Sequence, residues 1–368
     1  MLTGGAYRID DVKIWDTIVA GGGVIGLSLA FELRKRGSSV LVVERGELGG
    51  EASSAAGGML AWCDPHLPEA TRGLAALSAE CYGEFLGEIE EASGAGADLR
   101  KFGTIVLNEG KPGALVEQCR NLSGEKLREM EPGLRVGSRS AQWWPEWSVD
   151  PRRLMASLSA ACRARGVNVM TGVAVSEVVI EGGRTVGVRS AVGELSAAAV
   201  VNCAGAWAWE IACGVQPSPS PTRPVKGQML AMGGGAGLRH VVRAPEVYLI
   251  PRSDGSVVVG ATVEEAGFDK VTHPEAIERL RAAAKALAPE LGAVKEVWAG
   301  LRPGSADGLP ILGETSLPGY FVASGHFRDG ILLAPATARV MAGLVLGEGG
   351  EIEALSARRF GAGAAVAE

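Results

Sequence analysis

Residues 15–44 read WDTIVAGGGVIGLSLAFELRKRGSSVLVVE, and this stretch decides the fold. WDTIVA (15–20) is a short run with β character, and SSVLVVE (38–44) is a second, buried one. Between them GGGVIG (21–26) is a tight glycine turn. VIGLSLAFELRKRG (24–37) places Leu27, Ala30, Phe31 and Leu33 at helical spacing until Gly37 stops it. Strand, turn, helix and strand within about thirty residues form a βαβ unit, the smallest dinucleotide-binding element.

Inside the turn, G-x-G-x-x-G falls on Gly21, Gly23 and Gly26. Gly21 permits the tight turn, Gly23 lets backbone approach a pyrophosphate, and Gly26 lets helix and strand pack closely. The helix start at Val24 and Ile25 then offers free N–H groups to phosphates. Glu44, at the end of the second strand, can accept hydrogen bonds from both ribose hydroxyls. It would repel a 2′-phosphate, which argues against NADP. These residues leave FAD and NAD both open, and a purely structural glycine turn remains the bland alternative.

Further along, GGEASSAAGGMLA (49–61) is a stretch of small residues that suits backbone lying close to a ligand. Helical patterns follow over 69–94, β character over FGTIVL (102–107), and a helix near 111–132. VDPRRLMASLSAACRARG (149–166) reads as a helix with Asp150 as N-cap and Pro151 at its first position. Residues 167–205 read as strands ending in AAVVNCAG. Strands cluster again over 222–263, including QMLAM (228–232), VYLIP (247–251) and SVVVGAT (256–262). A helix is expected over 273–289, and strand, glycine turn and helix return over 320–347. The fold class expected is α/β with α+β: a Rossmann-like nucleotide-binding domain assembled from discontinuous segments, with an inserted mixed-sheet domain.

The bulk properties narrow the function classes. A chain of 368 residues is too long for one small core. Its net charge of -6, with basic residues scattered, argues against a nucleic-acid binder. Six cysteines, at 63, 81, 119, 162, 203 and 213, show no CxxC and no zinc spacing, so they read as reduced thiols of a cytosolic protein and no metal is expected. The first fourteen residues carry Asp10 and Asp11 and do not read as a signal peptide. No uncharged apolar run reaches the length of a membrane span. The sequence leaves homo-oligomer formation open.

One cation stands out. VWAGLRPGSADGLPILG (297–313) holds Arg302 among apolar residues, glycines and prolines, with Asp307 as its nearest acid. Arginine stays charged and is seldom buried without a partner. It either pairs with Asp307 or carbonyls, or its partner is a ligand.

Several blocks in order carry a resemblance. TIVAGGGVIGLSLAFELRKRGSSVLVVERG with SSAAGGMLA is similar to the flavoproteins of the D-amino-acid oxidase type. PVKGQMLAM (224–232), VYLIPRSDGSVVVGATVEEAGFD (247–269), WAGLRPGSADGLPILG and ASGHFRDGILLAPATA resemble, within that family, the glycine oxidases. The resemblance runs from about residue 15 to about 347. It implies non-covalent, extended FAD in a domain made of 12–80, 150–215 and 300–350. It implies a substrate domain from 81–149 and 216–299, with 1–11 and 351–368 as loosely ordered extensions. The activity implied is oxidative deamination of glycine and small relatives such as sarcosine or D-alanine, by hydride transfer to flavin N5. Reoxidation by O2 would give hydrogen peroxide, in the service of thiamine thiazole synthesis.

The resemblance also assigns residues. Arg302 and Tyr248 would bind the substrate carboxylate, with Arg328 a further arginine of the site. Gly21, Gly23, Val24, Ile25, Gly26, Glu44, Arg45, Ser53, Ser54, Gly58, Met59 and Leu60 would hold the phosphates, ribose and ring edge. Val175 would meet the adenine side, and Ala204 and Gly205 a second nucleotide-side turn. His326, Phe327, Arg328, Asp329, Gly330 and Ile331 would line the flavin. Three positions depart from the glycine oxidase pattern. Glu246 replaces a histidine and would favour a cationic group nearby, Val263 replaces a methionine and leaves more room, and Asp329 replaces an asparagine. Alternatives within enzymes are a sarcosine or D-amino-acid oxidase, or a dehydrogenase with another electron acceptor. No cysteine follows Cys213, against the covalent attachment of monomeric sarcosine oxidases. The alternative of another class is a non-catalytic dinucleotide-binding protein.

Overall fold

A computed structural model describes residues 13–108, 118–214, 221–234 and 237–360. The chain opens with β1 (Trp15–Ala20), α1 (Val24–Lys35) and β2 (Val40–Glu44). A short α2 (Ala52–Ala55), β3 (Met59–Leu60) and the long α3 (Glu69–Ser93) follow. Next come β4 (Thr104–Asn108), β5 (Arg120–Leu122), α4 (Gly124–Met130), β6 (Ser140–Trp144) and β7 (Trp147–Ser148). α5 (Pro151–Ala164) leads into β8 (Asn168–Thr171), β9 (Val175–Glu181), β10 (Arg184–Ser190) and β11 (Gly193–Asn202). Then come β12 (Thr222–Met232), β13 (Val241–Arg243), β14 (Tyr248–Pro251), β15 (Val257–Gly260) and α6 (Pro274–Leu287). The last elements are β16 (Val294–Ser305), β17 (Ile311–Glu314), β18 (Tyr320–Ser324) and α7 (Gly330–Val345).

Two eight-stranded sheets result. The first runs β17-β18-β11-β1-β2-β8, with β10 and β9 added beside β11. β1 is parallel to both β2 and β11, as a βαβ unit requires. Its Ile18 and Val19 are both fully buried because both faces of the sheet are covered. Val19 packs with Leu27, Phe31, Leu154 and Met341 under helices α1, α3, α5 and α7. Ile18 packs with Val178, Val188 and Tyr320 on the other face. The second sheet runs β16-β12-β15-β14-β13-β4-β6-β5 and packs Leu230, Leu249 and Val259 against Leu280 and Leu287 of α6.

Local signals explain several boundaries. Asp150 caps α5, its carboxylate accepting from the N–H groups of Arg152 and Arg153, with Pro151 at the first turn. Pro335 lies inside α7 and cannot donate to the carbonyl four residues back. Tyr82 of α3 supplies that missing donor, its hydroxyl giving a 2.8 Å hydrogen bond to the Ile331 carbonyl. Ser78 does the same for Leu332. α3 is therefore stitched to α7 through one turn, at Ser78 and Tyr82.

The structure corrects the expected organisation. A domain boundary at 81 cuts α3, whose Leu74 before it and Tyr82, Phe85 and Ile89 after it enter one core. A boundary at 300 cuts β16, so Arg302 belongs to the second sheet. In place of a helix near 111–132, the described part holds β5 and only α4, capped by Ser123. Residues 109–117 of that expectation lie outside the described residues. Residues 353–360 are not a loose extension. They form two 3-10 turns that bury Leu355 and Ala357, and Arg359 pairs with Asp307. The 1–11 extension and the tail at 361–368 lie outside the described residues.

Candidate active site

A cavity of about 480 Å³ runs between the two sheets and takes lining residues from both. Its floor is the glycine turn. Gly21 has φ of +113°, a conformation open to glycine, and a Cβ there would lie 2.7 Å from the Cys203 carbonyl carbon. A Cβ on Gly23 would sit 3.1 Å from Ser53 Oγ. Gly23 stands at the N-cap of α1 and has no side chain to cap it. Ser53 Oγ accepts from Val24 N–H at 2.9 Å, and Gly23, Val24 and Ile25 line the cavity. Glu44 is fixed beside them, its two oxygens accepting from Gly22 N–H (2.7 Å) and Gly46 N–H (2.8 Å). A helix start whose N-cap glycine brings no side chain, a bare backbone turn and an acid at the strand end fit a dinucleotide cofactor.

Arg45 and Trp207 line the cavity along with Glu44. The Arg45 guanidinium lies 3.6 Å over the Trp207 ring, and Trp207 stacks on Phe268 at 5.0 Å. Val175, Ala204 and Gly205 line the same cavity.

A second group, Met229, Arg243, Tyr248 and Arg302, stands on the second sheet. Arg243, Tyr248, Gly260, Met229 and Trp298 are register partners across β13, β14, β15, β12 and β16. A Cβ at Gly260 would meet Tyr248 Oη at 2.5 Å, so glycine makes room for the phenol. Burial raises the Tyr248 hydroxyl above its ordinary range, and Arg302 beside it pulls the other way. Arg302 on β16 donates from Nη1 to the carbonyls of Lys226 (3.3 Å) and Thr262 (3.2 Å). Among the described residues no carboxylate lies within ion-pair distance of it; Asp307 is held by Arg359 at 2.7 Å. The guanidinium rests over Gly227, where a Cβ would come to 2.5 Å of Arg302 Cζ.

A charged cluster adjoins this row. Asp64 accepts from Arg243 Nη2 at 2.7 Å and from His66 N–H at 2.9 Å, and Arg328 Nη2 stands 3.7 Å away. Burial opposes the Asp64 charge, but Arg243, the His66 N–H and Arg328 outweigh it and hold the carboxyl below the usual range. Behind Arg243 lies Glu146, 1 % exposed, pushed up to about 7 by burial against the pull of Arg243. The turn before α7 completes the site. Phe327 holds φ of +48°, fixed by its N–H to the Pro303 carbonyl at 2.9 Å. His326 is buried, driven down to about 3 by desolvation, and its Nε2 lies 3.1 Å from Thr337 Oγ1.

Most of the expected residues thus share one cavity: Gly21, Gly23, Val24, Ile25, Glu44, Arg45, Ser53, Gly58, Met59, Val175, Ala204, Gly205, Tyr248, Arg302, His326, Phe327, Arg328, Asp329, Gly330 and Ile331. Three do not line it. Gly26 packs under the turn, where a Cβ would meet Val19 Cγ1 at 3.1 Å. Leu60 is fully buried in the first core, and Ser54 sits on α2 away from the cavity wall. Of the departures, Val263 lines the cavity, whereas Glu246 is outside it and paired with Arg139 at 2.8 Å. Glu246 therefore offers no free charge to a substrate. Asp64, Arg243, Trp207 and Met229 are lining residues that sequence reasoning missed. Trp207 had a signal, standing two residues after Gly205 in VNCAGAW. Arg243 and Asp64 had none, because they meet only through folding.

No disulfide joins the six cysteines, all buried. No helix among the described residues is long and apolar enough to cross a membrane.

The FAD dependent oxidoreductase (DAO) family model matches residues 16–344. The chain is 34% identical over 363 residues to the bifunctional protein ThiO/ThiG of Synechocystis sp., covering 94% of this chain and 54% of that protein. It therefore spans about half the length of those bifunctional relatives. It is 36% identical over 349 residues to the glycine oxidase of Pseudomonas putida, covering 90% of this chain and 94% of that enzyme. Among solved structures, the glycine oxidase from Geobacillus kaustophilus superposes with a TM-score of 0.85 at 29% identity, covering 94% of this chain and 98% of that one.

Proposed function

The chain belongs to the FAD dependent oxidoreductase family, and from that premise we propose that it oxidises glycine and small relatives such as sarcosine or D-alanine. The amine would leave as an imine that water converts to an oxo acid and ammonia or a primary amine. FAD, when bound, supplies a two-electron acceptor at N5 and a path from there to O2, which becomes hydrogen peroxide. The first sheet with its helices is read as the cofactor domain and the second as the substrate domain. Gly21, Gly23, Val24, Ile25 and Ser53 would hold phosphate, and Glu44 the ribose. Involvement in making the thiamine thiazole is part of the same reading, supported by the likeness to ThiO/ThiG and glycine oxidase.

The observation that carries the proposal is Arg302. Its guanidinium is braced on two backbone carbonyls, has no carboxylate partner among the described residues, and lines one cavity with Tyr248 and the glycine turn. A fork of donors so held suits a planar carboxylate. Tyr248 adds a hydroxyl beside it, and the two fix the orientation of the α-carbon. The apolar wall of Met59, Met229 and Ala261 leaves room for a small side chain.

The test is peroxide release by the purified yellow protein with glycine, sarcosine, D-alanine and D-proline. Arg302→Ala should stay yellow and lose glycine-dependent turnover. Dye reduction with little peroxide would redirect the reading to a dehydrogenase, and unchanged turnover in Arg302→Ala would overturn it.

A further inference from the structure

Glycine carries an ammonium at neutral pH, and an ammonium has no lone pair. As hydride leaves the α-carbon, the nitrogen must donate an electron pair to form C=N. One N–H bond therefore breaks first, its electrons staying on nitrogen and its proton passing to some acceptor. We propose that Asp329 is that acceptor: its carboxylate receives the substrate ammonium and takes its proton. This rests on the amine-oxidising reading above.

Asp329 is one of the residues that line the site, in the same cavity as Arg302 and Tyr248. The Phe327 N–H to Pro303 carbonyl bond ties its turn to the strand residue next to Arg302. A zwitterionic amino acid with its carboxylate on Arg302 then has a carboxylate within the same cavity to meet its ammonium.

Its oxygens are also unused. Asp329 holds the N-cap position of α7, yet its side chain does not cap the helix. Among the described residues the carboxylate accepts no hydrogen bond, and its closest cation is Arg328 Nε at 3.9 Å. The other acids lining the cavity are engaged or lie elsewhere. Glu44 is held by two backbone N–H groups, Asp64 by Arg243 and His66, and Glu51 by Lys270. Glu210 belongs to the turn beside Trp207. His326, on the same turn as Asp329, is buried, neutral and engaged with Thr337.

The charged groups facing Asp329 are Arg328 from its own turn, Asp64 from the segment after β3, and Arg243 from β13. Burial raises its carboxyl to about 6, Arg328 lowers it, and Asp64 adds to the rise. It is a stronger proton acceptor than an ordinary carboxylate and still largely ionised at neutral pH. Arg328 is about half exposed beside it, so the proton has a short way out to water.

The experiment compares wild type with Asp329→Asn, which keeps the shape and removes the base. It reads kcat/KM for glycine from pH 6 to pH 10 and the affinity for acetate, a carboxylate without an amine. At pH 7 the variant should fall by about 100-fold, the lower end for a positioned proton acceptor. At pH 10, where free amine is abundant, the gap should close to a few-fold. Acetate affinity should not change, and Asp329→Glu should recover part of the loss at pH 7. A constant ratio at every pH overturns the assignment, because a structural role carries no pH signature. So does a parallel loss of acetate affinity. Failure of wild type to oxidise any amine is a separate outcome that removes the underlying reading and this inference with it.

Discussion

Gly227→Ala tests the Arg302 geometry without touching Arg302. A Cβ at residue 227 would lie 2.5 Å from Arg302 Cζ, against 3.4–4 Å for ordinary contact. The guanidinium must therefore retreat by about 1 Å, the displacement that costs on the order of 100-fold when a reacting geometry is set by orientation. Its braces cannot follow, since the Lys226 and Thr262 carbonyls belong to backbone. A 100-fold loss in kcat/KM corresponds to about 2.7 kcal/mol of transition-state stabilisation. The fold should absorb the change, because the obstructing atoms are the end of a long side chain and Gly227 has no left-handed φ. The expected result is a protein that binds its cofactor, melts within about 2 °C of wild type, and loses roughly two orders of magnitude in kcat/KM for glycine. Steady-state peroxide release and a thermal melt measure both. A variant within twofold of wild type would refute the claim that this guanidinium position holds the substrate.

Two other substitutions probe the fold beneath the site. Glu146→Gln should gain stability relative to wild type as pH rises. Burial lifts the Glu146 carboxyl from 4.5 to about 7, so the folded state binds its proton more tightly than the unfolded chain. Wild type thus holds this contribution below pH 4.5 and loses up to about 3 kcal/mol of it as pH climbs through 7. Melting temperatures at pH 5 and pH 8 should show the gap moving in favour of glutamine, and a gap independent of pH would remove the burial argument. Gly21→Ala should give a colourless or poorly folded protein. The new Cβ meets the Cys203 carbonyl while φ sits at +113°, and a yellow variant of normal stability would show that the turn is not so constrained.

What the sequence made legible was what one short segment decides alone. The turn at 21–26 is readable because only glycine tolerates Gly21's φ and the close packing of Gly26. The Asp150–Pro151 start of α5 is readable because a cap and a fixed φ act on neighbours. Elements that depend on distant partners were not. Among the described residues β5 pairs with β6 alone and leaves two of its three residues exposed, so it shows no alternation, and a helix was expected there instead. β16 contains Gly300 and Pro303, which disfavour a strand interior, yet it persists because it is an edge strand carried by a long register with β12. The Asp64–Arg243 pair joins residues far apart in the chain, and neither has a neighbour that announces it.

Arg302 lies between these cases. Its oddity is local: a cation among glycines, prolines and apolar residues, with one acid nearby. Its resolution is not, since Arg359 captures Asp307 from a segment that looked like loose tail. Once Arg359 holds that acid, the braced guanidinium keeps an unmet charge toward the cavity. The same reasoning distinguishes Asp329 from Asp64. Both are partly or wholly buried acids near arginine, but Asp64 already has close donors, while among the described residues Asp329 has only Arg328 at 3.9 Å. An arginine without a carboxylate partner and a carboxylate without a close donor among the described residues line one cavity, and in the proposed reading they would receive the two ends of a zwitterion. On that reading substrates would be amino acids and short amines bearing a carboxylate, and amines without one should bind poorly however small they are.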